Sequence, residues 1–139
     1  MRRQKIAVAL LAGAMGLGAS APAWVHHSGA MFDRSKVVTF SGIVREFLWM
    51  NPHSSFKVDV TDAAGKVETW AVEMNGPSNL IREGWKRSTL KPGDRVTVTV
   101  NPLRDGRPGG WYVGVMLADG KSLSSKDVPA GGTAPGGDQ

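Results

Sequence analysis

The chain has 139 residues, with 17 Lys and Arg against 12 Asp and Glu, a formal net charge of +5. That length suits one small domain of roughly 100 to 150 residues and excludes a multidomain enzyme. The absence of cysteine excludes a disulfide framework, a thiolate zinc site, a Cys nucleophile and acylation as a lipoprotein.

The charge is unevenly placed. Arg2, Arg3 and Lys5 precede the apolar stretch Ile6 to Leu17, and the small residues Ala19-Ser20-Ala21-Pro22-Ala23 follow, which are the three regions of a secretory signal peptide. The apolar run is shorter than the roughly 20 residues that a spanning helix needs. Removal is therefore expected rather than anchoring, with the cut after Ala23 because Ala21 and Ala23 supply the required small side chains. Residues 1–23 are then the signal, and the mature protein is periplasmic or secreted with no stable membrane anchor. Without the three leader charges, 14 basic residues face 12 acidic ones. A net of +2 argues against a nucleic-acid partner, whose phosphates call for clustered Lys and Arg.

After an amino-terminal segment, residues 24–35, the pattern has period two almost throughout. Val37 to Trp49 is long for a strand and holds Gly42 near its middle, where a missing side chain permits a bend or bulge. Phe56, Val58 and Val60 alternate with Lys57, Asp59 and Thr61, and Asp62 to Gly65 make a hairpin connection. Val67 to Met74 returns with Trp70, Val72 and Met74 on one side. Gly76-Pro77-Ser78 starts a short helix that Gly84 stops, with Leu80, Ile81 and Trp85 expected in the core. Leu90 to Asp94 turns into a strand carrying Val96, Val98 and Val100, and Trp111 to Leu117 forms the next. Asp119-Gly120 leads into a short last strand.

Three strands, a short helix and two more strands, the first of them bent, is the order of an all-β, OB-like Greek-key barrel spanning residues 36–123. A β-sandwich of the same strands stays open on pattern alone. Residues 124–139, rich in Gly and Pro, are expected to be a disordered tail.

All three histidines fall in two motifs, His26-His27-Ser28 and Asn51-Pro52-His53. Neutral imidazole is the commonest protein ligand for zinc and copper, so His26, His27 and His53 are the candidate metal ligands, with copper or zinc as the ion. His53 is expected on the loop joining the first two strands, one of the ligand-binding loops of this architecture. After cleavage at Ala23, the start Trp24-Val25-His26 offers an amine, two backbone amides and an imidazole, a square-planar nitrogen set that suits Cu(II) or Ni(II). Met31 and Met50 are softer donors nearby, and thioethers favour Cu(I). The plain alternative is that the histidine pair is idle at a flexible end and that Asn51-Pro52-His53 is a turn.

Of five tryptophans, Trp70 and Trp85 are expected in the core, whereas Trp49 and Trp111 are candidates for exposure and for contact with a protein or envelope-glycan partner. Asp59, Glu68 and Glu73 read as solvated strand positions. No matched nucleophile, base and acid are legible, so the protein is not expected to be an enzyme.

Together these motifs resemble an uncharacterised family of exported bacterial proteins. The residues that carry the likeness are His26-His27-Ser28, Phe32-Asp33, Trp49 with Asn51-Pro52-His53, Gly76-Pro77, Leu80, Arg82, Gly84-Trp85 and Leu90 to Asp94, from about His26 to Leu123. The resemblance implies an exported β domain and no agreed activity or cofactor. Many relatives look as though Ala directly precedes the histidine pair, which would leave an amino-terminal histidine able to bind copper. Trp24-Val25 intervene here, favouring the three-residue chelate or a site made of imidazoles alone.

Overall fold

The structure, a computed structural model, describes residues 29–126. The expected leader, Trp24, His26, His27 and the tail beyond Lys126 lie outside the described residues. A single 3-10 turn, Gly29–Met31, is followed by β1 (Val38–Leu48), β2 (Ser55–Thr61) and β3 (Val67–Glu73). Helix α1 (Pro77–Arg82) comes next, then β4 (Arg95–Pro102), β5 (Gly109–Leu117) and β6 (Ser122–Ser124). Among the described residues no helix is long and apolar enough to cross a membrane.

The strands pair in the order β3-β2-β1-β4-β5-β6, and β3 also pairs with β5 in parallel, Ala71–Glu73 against Gly109–Trp111. That last ladder closes β1-β2-β3-β5-β4 into a five-stranded barrel with α1 between β3 and β4, the OB arrangement expected from the pattern. Closure needs a shared strand. The first half of β1, Val38 to Ile43, pairs with β4, and the second, Ile43 to Leu48, pairs with β2. Gly42 stands at the changeover, against the Asp59 carbonyl and 2.6 Å in prospect from Val58 Cγ1 were a Cβ present. The extra residue of the bulge falls at Arg45, between Val44 and Glu46, rather than at Gly42 itself. Close approach and bulge are thus separate devices: glycine lets β2 come near, and the bulge adds the twist.

Phe56, Val58, Val72, Met74, Val96, Val98, Val100, Tyr112 and Val115 fill the interior, as the alternation requires. Helix α1 stoppers one end. Pro77 presets φ at its first turn, Gly84 at φ +91° ends it, and Leu80 and Trp85 enter the core. Ile81, expected inside, is 61% exposed. A helix of six residues has room for one inward position, and Ile81 lies about 100° round from Leu80. Trp70 is only half-buried; its ring packs on Phe40 at 4.5 Å and its Nε1–H donates to Glu68.

The Trp85 indole meets Tyr112 edge-on at 5.4 Å, and its Nε1–H donates to the Tyr112 hydroxyl at 3.0 Å. Burial pushes the Tyr112 phenol far above its ordinary value of 10.0; Glu83 adds to the rise, and the Trp85 bond partly offsets it. A folded-state value above the unfolded one stabilises fully below pH 10, and the benefit is lost as pH rises, because only the unfolded chain ionises there. Urea unfolding is therefore expected to lose about 1.4 kcal/mol per pH unit above pH 10 relative to Tyr112→Phe. Parallel slopes for the two proteins would refute this.

β5 is buried from Gly109 to Val115 on both of its faces. Its inner side chains face the core, while residues 29–33 fasten across its outer side and the β4–β5 loop. Phe32 bridges Leu103, the Asp33 N–H donates to Pro102 at 2.8 Å, and the Arg104 N–H donates to the Met31 carbonyl at 2.9 Å. β6 pairs with Gly114–Met116 along the edge of β5, and the Ser125 N–H continues to Val113 at 2.8 Å.

Candidate functional site

The parallel ladder that closes the barrel also builds the site. Glu73 and Trp111 are register partners in it, so their side chains leave the same, outer, face. His53, on the β1–β2 loop as expected, reaches both. Its Nδ1 lies 2.7 Å from Glu73 Oε1, and its ring meets Trp111 edge-on with centroids 5.3 Å apart. An ionised carboxylate can only accept, so Nδ1 carries the proton and Nε2 of the neutral ring keeps its lone pair. With a side chain 41% exposed, His53 is reachable.

The loop is held from behind. The Met74 N–H donates to the Ser54 carbonyl at 2.9 Å and the Ser54 N–H to Asn75 at 3.2 Å. Gly76 sits so close to the Pro52 carbonyl that a Cβ there would stand 2.6 Å from it. His53 is therefore presented by a fixed turn.

Trp111, expected to be exposed, is 8% accessible. Phe32 packs on its ring at 5.6 Å, His53 takes its edge, and the Arg34 guanidinium stands 5.8 Å over it. It is a platform for the chain's own groups and offers no stacking face. Trp49 is half-buried, set edge-on against Phe47 at 5.8 Å. Glu73, read as a solvated carboxylate, is the residue that sequence reasoning missed; its role depends on a register linking positions 20 residues apart.

Around His53 opens a cleft of about 360 Å³. Ser55, Lys57, Ala71 and Glu73 from β2 and β3 form one wall, and Leu103 and Arg107 from the β4–β5 loop the other, with Met31 beside them. Asp33 anchors that side. It accepts from the Ser35 hydroxyl at 2.6 Å, which chiefly holds its carboxyl below the ordinary range, against partial burial and with help from the Ser35 N–H, Arg104 and Lys36. Among the described residues no three His, Cys, Asp or Glu side chains are grouped to hold an ion.

Residues 15–112 match a family of unknown function, DUF6152. The chain belongs to that family. Within this DUF6152 protein the match takes in His53, Glu73 and the Trp111 platform, and it stops inside β5. No curated protein matches. Among solved structures it is similar to the mitochondrial single-stranded DNA binding protein Rim1 from S. cerevisiae, at 9% identity and a TM-score of 0.47, over 60% of this chain and 93% of that one. Barrel closure rests on the chain's own ladders rather than on that likeness.

Proposed function

We propose that this protein is an exported, periplasmic or secreted, non-catalytic binding protein whose barrel holds a transition-metal ion, copper before zinc, through His53 and the His26–His27 pair. The observation that carries the reading is the His53–Glu73 pair at 2.7 Å. Metal-ligating histidines almost always donate their second ring N–H to a carboxylate or carbonyl, which fixes the tautomer and raises the basicity of the ligating nitrogen.

The test begins with the intact mass of protein recovered after export, which gives the mature start, and continues with Cu(II) and Zn(II) titration of that form. Glu73→Gln is expected to weaken Cu(II) binding about 10–100-fold, as loss of an orienting carboxylate does. His53→Ala should weaken it further. Binding no tighter than about 1 mM that neither His26→Ala nor His53→Ala alters, a level far short of a specific site, would dispose of the reading.

A second reading, a module for a protein or envelope-glycan partner, is favoured by the position of the cleft. It lies on the β2–β3 face between the β1–β2 and β4–β5 loops, where barrels of this topology take oligosaccharides. In that reading Trp49 and the loop around His53 make the contact, and Trp111 serves only as their support.

A further inference from the structure

We propose that the protein pairs with a second copy of itself along the open edge of β3, Val67 against Val67, in a two-fold antiparallel ladder. One edge of β3 is taken throughout, since Val67 to Glu73 all pair with β2. The other is taken only at Ala71–Glu73, by β5. Pro108, just ahead of that short ladder, has no N–H with which to prolong it. Among the described residues no strand lies along Val67 to Trp70 on that side.

The backbone of that stretch is aimed outward. The Met74 N–H donates towards β2, to the Ser54 carbonyl at 2.9 Å, and the Ala71 N–H donates away from it, to Pro108 at 3.3 Å. Alternation along a strand then turns the N–H and C=O groups of Thr69 and Val67 to the open side, as it does those of Ala71. Val67 is also 54% exposed, a β-branched side chain left in water at the start of a strand.

Charge selects the occupant. Lys66 and Glu68 flank Val67, both exposed, and neither enters an ion pair among the described residues. When Val67 faces its own copy in an antiparallel pair, Lys66 of each chain stands opposite Glu68 of the other, so both contacts join opposite charges. Registers centred on Glu68 or on Lys66 would set like charges directly opposite, and one centred on Thr69 would need Ala71, which already bonds Pro108. Charges that guard an edge repel their own kind, whereas Lys66-Val67-Glu68 attracts its copy in one register. The pattern is its own complement under a two-fold axis, as an isologous dimer requires and a foreign strand does not. In that register the two Val67 residues exchange both N–H···O bonds. Gly65 brings no side chain opposite Thr69 of the second copy.

The test is sedimentation equilibrium of the untagged protein recovered from cells, at low salt. Between about 10 µM and 1 mM the mass is expected to rise from one chain towards two, with a Kd of about 0.1 mM, as suits so short an interface. Lys66→Glu should weaken the dimer by about tenfold or more, because it puts like charges opposite at both contacts. Glu68→Lys should do the same. An equimolar mixture of these two variants should associate again, as should one chain carrying both changes, since each arrangement restores opposite charges. Glu68 accepts the Trp70 Nε1–H, so its replacement could unfold the chain. Val67→Pro then serves instead: at the first position of β3 proline leaves the bonds to β2 and removes the outward N–H, and the protein should stay monomeric. A monomer at every concentration overturns the proposal. So does a dimer that Lys66→Glu and Val67→Pro leave unchanged, or a mixture of folded charge variants that fails to associate.

Discussion

Trp85→Ala is expected to destabilise the fold by about 3–5 kcal/mol, the usual range for deleting a buried large aromatic. Trp85 is 1% exposed at the junction of α1 with the barrel, and its ring meets Phe47, Phe56 and Tyr112 at 6.0, 6.4 and 5.4 Å. Three aromatic neighbours on fixed strands cannot close over the void. The Tyr112 hydroxyl also loses its indole donor deep in the core. For a domain of this size each kcal/mol lowers the melting temperature by about 4–8 °C, so a fall of well over 10 °C is expected in a thermal scan. Trp85→Phe isolates the hydrogen bond and should cost clearly less. Equal losses for the two variants would place the energy in the bond rather than in the ring.

Gly42→Ala is the second large effect, expected at about 3 kcal/mol, the upper part of the range for overpacking. The added methyl would meet the Asp59 carbonyl and Val58 Cγ1, neither of which is the end of a flexible side chain. Asp59 pairs with Ile43 in the β1–β2 ladder, so relief would require parting the strands where β1 changes from β4 to β2. Urea titration measures the loss. Gly65→Ala is the comparison, because its Cβ would meet nothing within 4 Å, and its cost comes from the φ of +82° alone. If Gly42→Ala costs no more than Gly65→Ala, strand crowding is not what selects glycine at position 42.

The barrel strands could be read in the sequence because each buries one face, and burial of one face writes itself as alternation: Phe56 and Val58 inside, Lys57 outside. β5 defeats that rule. Residues 109–115 are buried on both faces because Phe32 and its neighbours cover the outer one, so Trp111 looked like a free aromatic when it is a foundation. Ile81 failed for a different reason, since a one-turn helix carries too few residues for a periodic signal.

The site was half legible. Asn51-Pro52-His53 could be placed on the β1–β2 loop from strand order alone, and that placement holds. Glu73 could not be paired with His53 because the link passes through the register of β2 with β3, and strand registers leave no local mark on composition. Phe32-Asp33 stood among the motifs without a role; the structure gives it one, as the clasp that ties residues 29–33 to the β4–β5 loop.

The three residues of β6 bear on solubility. The β3–β5 ladder covers only Ala71–Glu73, and the edge of β5 from Gly114 to Met116 is screened by Ser122–Ser124. Strip that screen away and a bare row of strand amides and carbonyls becomes a template on which another molecule can add its own strand. A chain cut at Leu117 would therefore be prone to self-association, besides losing Leu123 from its core.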